Sequence, residues 1–494
     1  MLIEEEKTKF LVTGVVIRNF KSVESVEFDL APGVNVLVGA NASGKTNILE
    51  AISFLYKALI DAAQRAPYRP HIPYYWNALD LVYMRDPSRR VDIGLKGIYY
   101  WVERSGKRFS IRVYFEARFM YNQAEDTLEP VEYYVGIGNV EITFSREYIT
   151  VKQPLENIKL IKSYLEKKRS LPDFLLETMY LRTRDTDSRA WLKLFLDKVE
   201  ENDKYATYRV STLGMPIKPF IPWNIPSYLF KEDHRELRGH LLVFEDFAFL
   251  EDPLVYVLKP SSARDMKGAL INRSYRRRPS FTEILFSVVP SVIKRIVFSR
   301  HPDIGVIRKP YDFLGSDHLR ERAENLADVL LTLQAKQGGL PELVVEALKE
   351  CFPGVSIRLE PGLGKVALVG EEDGLRLNPP NLPDGLIKLV ALMTAASLRP
   401  SILLVDELEN SMHARLLEYV IDVFNSLDNP VLIATHSPLV VDLVDPERVL
   451  VAVKERGRGT KVSRAASRED LMRRLSKLGV ALSDYVMYYL SENE

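Results

Sequence analysis

An α/β fold, divided between the two ends of the chain around a helical insertion, is what this 494-residue sequence predicts. Three observations carry that expectation. The mostly apolar residues 34–38 lead through a glycine-rich loop into the apolar-periodic stretch TNILEAISFLYKAL, the order of a buried strand, a turn and a helix. Near the other end, SILLVDE and PVLIATHS each put an unbroken apolar strand ahead of polar residues. The helix-like MHARLLEYVIDVFNSL lies between them, and such alternation builds a largely parallel sheet. In between, VDIGLKGIYYWV and RFSIRVYFEARF are strand-like with Gly106 in the connecting turn, which predicts antiparallel hairpins.

Taken in order, LVTGVVIRNFKSVESVEFDL alternates apolar and polar residues and reads as two strands, with a break at Pro32 and Gly33 before the buried strand. From about 154 to 278 the character changes to charged helical runs, LENIKLIKSYLEKKRS and SRAWLKLFLDKVEEN, followed by the proline-rich GMPIKPFIPWNIP. No short-period repeat or sustained heptad appears, so this segment reads as an inserted domain and not a long coiled coil. Ordered patterns resume at Phe281, with helix-like runs at ILFSVVPSVIKRI, RERAENLADVLLTLQAKQ and PELVVEALKECF, and RVLVAVKE forms a last strand. The expected organisation is an N-terminal half over 1–150, a mainly helical insertion over 151–284 and a C-terminal half over 285–494.

Composition narrows the function classes. Lys+Arg and Asp+Glu both number 67, so the net charge is zero and no global field draws in nucleic acid or an anionic membrane. A nucleic-acid site must be a local patch. Arg273, Arg276, Arg277 and Arg278 beside Tyr275 form one basic cluster, and Lys167, Lys168 and Arg169 form another. Such groups suit phosphate backbones and unpaired bases. Solvated surface turns are the favoured reading, since Glu200, Glu201 and Asp203 offset the charge. Cys351 is the sole cysteine, which rules out an internal disulfide or a multi-cysteine metal site and fits a reducing cytosol. The acidic start MLIEEEKTKF lacks the order of a signal peptide, and the most apolar runs fall short of the roughly 20 residues needed to span a bilayer. A cytoplasmic, membrane-free protein is expected.

The chemistry concentrates at three places. Residues 39–46, GANASGKT, complete the pattern G-x-x-x-x-G-K-[ST]. Backbone N–H groups of such a loop wrap phosphates at a helix N-terminus, the lysine reaches the β- and γ-phosphates, and the hydroxyl goes to Mg²⁺. Asn41, Ala42, Ser43, Gly44, Lys45, Thr46 and Asn47 are therefore the expected nucleotide contacts, with ATP and Mg²⁺ as cofactors. At the end of the strand ILLV stand Asp406, suited to Mg²⁺, and Glu407, suited to polarising the attacking water. A solvated acidic turn is the alternative, made weaker by the glycine loop. A second buried strand ends in ATHSP, where His436 can hydrogen-bond a γ-phosphate or water, although taken singly it reads better as a capping histidine.

Together, GANASGKTN, LPDGLIKLVAL, LLVDELENSMH and ATHSP resemble the ABC-type ATPase heads of the SMC-like and RecF-like group. More narrowly they resemble the "AAA" ATPases related to the overcoming-lysogenization-defect (OLD) nucleases. RNFKSVESVEFDL, AENLADVLLTL and CFPGVSIRL are similar to phrases of that group, and the resemblance covers roughly 10–120 and 285–455. It implies a P-loop NTPase fold of ABC/SMC-head type, a split sheet with an antiparallel β lobe. It also implies Lys45 and the general base Glu407 as catalytic residues, His436 as the switch histidine, and Thr46 and Asp406 as metal ligands. Arg18, Lys21 and Ser22 then lie beside the nucleotide base. Asp384 and Gly385 lie in the signature segment, which reaches the γ-phosphate held by a second subunit. Two departures stand out. Pro383 occupies the usual serine position and offers neither hydroxyl nor N–H, and no glutamine suits the Q-loop, Gln64 being too close to the first helix. The segment from Glu409 to His413 matches the group's E-N-x-x-H and is expected at the dimer seam.

Two functions follow. One is an ATP-driven homodimer acting on DNA or in antiviral defence. The other is a low-turnover, nucleotide-gated scaffold that holds or releases a separate toxin or nuclease, a reading kept alive by Pro383. A membrane-transporter subunit is disfavoured by the insertion and the missing Q-loop. A built-in nuclease is not expected, because the acids after His436, namely Asp442, Asp445, Glu469, Asp470 and Asp484, lack the pattern of the OLD nuclease.

Overall fold

The N-terminal alternation folds as a hairpin in which β1 (Thr8–Phe20) pairs antiparallel with β2 (Val23–Asp29), Ile17 lying opposite Val26 and Phe20 opposite Val23. The computed structural model describes residues 8–64, 77–102, 108–138, 140–145, 148–154, 198–201, 204–211, 296–410, 412–455, 459–464, 470 and 473–474. These fall into two units. The first takes its described residues from 1–10, 58–79 and 87–292, the second from 11–57, 80–86 and 293–494.

The first unit is an antiparallel meander. β4 (Val91–Val102), β5 (Arg108–Asn122), β6 (Thr127–Ile137), β7 (Val140–Ser145) and β8 (Tyr148–Pro154) pair in sequence, and β10 (Tyr205–Ser211) then joins β8 on one side and β9 (Lys198–Glu201) on the other. The hairpin expected from Gly106 is the β4–β5 pair. Arg118 bonds Glu116 of its own strand at 2.6 Å and, across to β6, Glu132 at 2.8 Å. With Glu116 almost wholly buried, the guanidinium compensates a carboxylate that would otherwise be costly there. One expectation needs correction. The run SRAWLKLFLDKVEEN was read as helix, yet its residues 198–201 form a strand. The aromatic and β-branched alternation of YATYRVS pairs with them, Ala206 opposite Glu201, and a tertiary partner of this kind overrides a local helical pattern. The other helical runs of the expected insertion lie outside the described residues.

The second unit holds a six-stranded sheet. Its order is β11 (Ile296–Ser299), β16 (Ile402–Asp406), β17 (Pro430–Thr435), β3 (Gly33–Val38), β18 (Val449–Glu455) and β19 (Gly459–Arg464). All pairs are parallel except the last. Every residue of β3 and β17 is buried, as strands covered on both faces must be. Ile296, expected to close a helix, instead opens β11. The helix α1 (Lys45–Gln64) follows the glycine loop. A smaller antiparallel sheet, not anticipated from the sequence, comprises β12 (Tyr311–Asp312), β14 (Lys365–Glu372) and β13 (Val355–Gly362), with β15 (Leu375–Leu377) on β14. After the short α2 (Ile304–Ile307) come α3 (Leu326–Gln337), α4 (Glu342–Cys351) and α5 (Asp384–Ser397). They share one apolar core with the large sheet, in which Leu330, Val344, Leu386 and Leu389 join Val36, Leu403 and Ile433. α6 (Ala414–Asn425) and α7 (Pro438–Asp442) complete the unit. Among the described residues no helix is long and apolar enough to cross a membrane.

The helix expected over RERAENLADVLLTLQAKQ starts later, at Leu326. Asn325 accepts from Arg320 N at 2.9 Å and donates to His318 O at 2.9 Å, so the residues before it are held in a turn that competes with helix. Inside that helix Asp328 is fully buried, and its Oδ1 accepts from Leu314 N at 3.1 Å and Gly315 N at 3.0 Å. A buried carboxyl accepting from two backbone donors makes Asp328 the anchor of the 313–316 loop. Asp328→Ala is expected to destabilise the protein by about 3 kcal/mol in urea unfolding, and Asp328→Asn by less because one oxygen acceptor survives. A loss below about 0.5 kcal/mol for the alanine variant, the range of ordinary surface changes, would mean that water satisfies the loop instead.

Candidate functional site

Strand register brings the chemistry together. Asp406 lies opposite Ala434 on β17, and Thr435 lies opposite Val38 on β3. The glycine loop, the acidic pair and His436 therefore leave the sheet at one edge, although they come from opposite ends of the chain.

The loop itself is tightly determined. Gly44 has φ +99°, and a Cβ there would sit 2.1 Å from Thr460 Oγ1 and 2.7 Å from Ser22 Oγ, so no side chain fits. Ser43 N bonds Ala40 O at 3.1 Å, while Asn41 and Ala42 are exposed at the tip. Lys45 folds back, its ammonium donating to Gly39 O at 2.8 Å and Ala40 O at 3.1 Å. Burial holds this ammonium below the usual lysine range, against the pull of Asp406, Glu407 and Glu409. Behind the loop, Thr460 donates to Ser43 O at 2.9 Å and lies 2.8 Å from Ser22 Oγ, which in turn accepts from Asn47 Nδ2 at 2.7 Å. The hydroxyl of Ser43 is buried with no hydrogen-bond partner. This is the local chemistry that a phosphate would satisfy.

Thr46 Oγ1 stands 3.3 Å from Asp406 Oδ1. Two hard oxygen ligands of an octahedral Mg²⁺ lie roughly 2.9 Å apart when each is about 2.0–2.1 Å from the ion, so the pair fits that metal. Burial, with Glu407 and Glu50 adding like charge, pushes the Asp406 carboxyl up to about 6, in spite of Arg300 and the Thr46 hydroxyl. Among the described residues no cluster of three or more His, Cys, Asp or Glu forms a metal site of another kind.

After Asp406 the backbone turns sharply. Glu407 takes φ +52°, with its N–H on Ala434 O at 2.8 Å, and its exposed carboxylate accepts from Asn410 Nδ2 at 2.6 Å. Glu409 Oε1 accepts from Thr435 Oγ1 at 2.7 Å and His436 N at 3.2 Å, and it faces His436 Nδ1 at 3.3 Å. His436 is 45% exposed. Its expected position at the sheet edge holds, and Glu409 orients its ring. His413 lies just before α6, and Ser411 lies outside the described residues.

Arg18, Lys21 and Ser22 occupy the end of β1 and the turn after it, with Lys21 at φ +48°. Lys21 is ion-paired with Glu50 of α1, as is Arg300. Ser22 belongs to the network behind the loop. Asp384 takes an ion pair from Arg308 at 2.7 Å and starts α5, with Gly385 next to it. Pro383 is the N-cap of that helix and supplies no side-chain cap. The basic clusters at 167–169 and 273–278 lie outside the described residues.

Two family models match the chain. "AAA ATPase domain" covers residues 12–202, and "AAA domain, putative AbiEii toxin, Type IV TA system" covers 222–442. The first takes in the glycine loop and the second the signature, the acidic pair and His436; of these the sheet edge unites the loop, the acidic pair and His436. Both halves of the chain are thus similar to AAA-type domains, the first of them to an AAA ATPase domain. Among the relatives, the DNA replication and repair protein RecF of Salinibacter ruber is 26% identical over 210 residues, 42% of this chain and 43% of that protein. RecF of Edwardsiella ictaluri is 58% identical over 41 residues, 8% of this chain and 12% of that protein. The chain thus matches less than half the length of these RecF relatives. A crystal structure of an SmcHead bound to the C-winged helix domain of ScpA is 13% identical, with a TM-score of 0.43, covering 94% of this chain and 100% of that one. Kinship with the OLD enzymes rests on the quoted motifs alone.

Several residues that build this site escaped the sequence reading. Glu50 lies one helical turn past Thr46, a spacing that puts both on one face. Lys388 is the lone cation in the run LIKLVALMTAA and is buried, which is itself a signal, since an ammonium there needs acceptors. Thr460 and Arg300 carried no signal, because only the fold brings them near the loop.

The raised Asp406 carboxyl has a measurable consequence for stability. In the unfolded chain it ionises near pH 4, but in the fold only near 6. Its contribution is therefore favourable at low pH and is lost as pH rises through about 6. Asp406→Asn should raise Tm at pH 8 and leave it unchanged near pH 3. An equal shift at both pH values would remove ionisation as the cause.

Proposed function

We propose that this chain binds Mg-ATP on the 39–46 loop and hydrolyses it with Glu407 as general base, dimerising head to head on ATP in a DNA transaction. The observation that carries the reading is the meeting of Lys45, Thr46, Asp406 and Glu407 at one sheet edge, with Thr46 3.3 Å from Asp406. Lys45 gives up its two loop carbonyls to reach the β- and γ-phosphates, and the loop N–H groups with Ser43 Oγ take phosphate oxygens. Thr46 and Asp406 would hold Mg²⁺, which would supply neutralisation of the phosphate charge. Glu407, held by Asn410, accepts the proton of the attacking water, and His436 steadies that water or the γ-phosphate. The names of the RecF relatives support DNA as the setting. In a C₂ dimer Asp384 and Gly385 of one subunit would close over the Lys45 site of the other, so ATP binding adds to association. The 151–284 insertion is then an arm of the head.

Pro383 supports a second reading, a low-turnover scaffold that holds or releases an effector. The helix after it begins with no side-chain cap and no hydroxyl to offer a phosphate. The AAA model described by a putative AbiEii toxin supports a defence setting for that variant. Turnover assays with and without DNA separate the two.

Lys45→Ala should abolish tight Mg-ATP binding in calorimetry, since the loop loses its mobile cation; unchanged affinity would sink the nucleotide reading. Glu407→Gln should keep binding, slow hydrolysis by about 10²–10⁴-fold and accumulate an ATP-bound dimer in size-exclusion chromatography. Full activity in that variant would shift the role of base to another acid, Glu409 first.

A further inference from the structure

The turn that carries Glu407 is held in an unfavourable shape by a residue outside it. Glu407 sits in the left-handed region, which is unfavourable for a side chain with a Cβ and persists only where the surroundings impose it. The carbonyls of Glu407, Leu408 and Asn410 converge on one point. Lys388 Nζ occupies it, 2.9 Å from Leu408 O and 3.4 Å from Glu407 O, and bonded also to Asn410 O. An ammonium has three donors and no acceptor, so three carbonyls satisfy it completely. Lys388 itself is only 3% exposed, so its ammonium has these carbonyls in place of water.

Lys388 does not belong to the turn. It projects from α5, the helix that begins with Asp384 and Gly385, and its neighbours Leu386, Ile387, Leu389 and Val390 are locked in the core. The far side of the same turn is tied to β17 through Glu409, which accepts from Thr435 Oγ1 and His436 N. The turn is therefore clamped between a helix and a strand end, and its helix side is one ammonium.

We propose that Lys388 is a positioning residue, through which the helix starting at Asp384 and Gly385 holds the turn that aims Glu407 and Glu409. A displacement of that helix reaches both acids through Lys388, without any contact of Lys388 with nucleotide. Its catalytic consequence rests on the reading of Glu407 given above; its structural part does not.

The test compares Lys388→Met, which keeps the length of the side chain and removes the donors, with Lys388→Arg, which keeps charge and donors. Amide hydrogen exchange over 407–412 is measured together with Mg-ATP hydrolysis and binding, well below each Tm. In the methionine variant, exchange in that segment should rise at least about tenfold while the 39–48 segment stays as in the wild type. Its kcat should fall by about 10²-fold, the scale of a 1 Å misplacement, with KM changed less than about threefold. Arginine should restore most of both. Unchanged exchange at 407–412, a change in KM with kcat intact, or an arginine variant as impaired as methionine would each overturn the proposal. Should the methionine variant not fold, Lys388→Gln, a neutral donor, takes its place and should fall between arginine and wild type on one side and loss of function on the other; wild-type values for it would also overturn the proposal. A wild-type protein without Mg-ATP binding refutes the nucleotide reading alone, and the exchange measurement still decides whether Lys388 holds the turn.

Discussion

The register of three parallel strands is the constraint on which the site depends. β3 lies between β17 and β18, and β17 between β16 and β3, so the carboxyl ends next to Gly39, Asp406 and His436 are level. Nothing in the loop or the acidic turn could repair a slip. A shift of one residue would send the buried side chains of a strand to the opposite face and move Asp406 away from Thr46. Register is strongly specified here because GVNVLV, ILLV and PVLIAT are buried throughout, and each residue of those runs has a fitted place in the core.

The same edge gathers charges that need to be kept apart from bulk water. Two buried ammoniums, Lys45 and Lys388, use one solution, which is to donate to backbone carbonyls and leave nearby carboxylates at longer range. Burial pulls the Lys388 ammonium down to about 8, although Glu409 and Glu407 oppose that shift. Glu50 solves the reverse problem by taking two cations, Lys21 and Arg300, so that the helix after the loop, the turn after β1 and the end of β11 are joined at one carboxylate. Arg300 also moderates the Asp406 carboxyl. The site is thus a balanced cluster, consistent with a chain whose total charge is zero.

Much of this was legible in the sequence, for identifiable reasons. The loop GANASGKT, the strand ILLV before Asp406 and Glu407, and the strand before His436 announce themselves because buried parallel strands are short apolar runs and because phosphate chemistry demands glycine, lysine and hydroxyl at fixed spacing. The small sheet around Lys365–Glu372 was missed because charged residues interrupt its apolar alternation, although its strands join in tight hairpins with glycine in the turn, Gly362 opposite Lys365 and Glu372 opposite Leu375. The strand at Lys198–Glu201 was misread because its pairing partner, not its own residues, decides its conformation. Lys388 was readable in principle as a lone cation among apolar neighbours, while Thr460 was not, because its role arises only where β19 passes behind the loop.

That last feature bears on how the protein is made. The loop starts at Gly39, yet the group that closes its back, Thr460 with its bond to Ser43 O, belongs to nearly the last strand of the sheet. On a ribosome adding roughly 5–20 residues per second, the phosphate cradle waits on the order of tens of seconds for its final support. Until then the strands on both sides of β3 are also missing, and the glycine loop has no neighbour to hold its shape. A nascent fragment carrying the complete motif therefore does not yet hold the loop in its final shape, which is reached only when the chain has been synthesised through its central sheet.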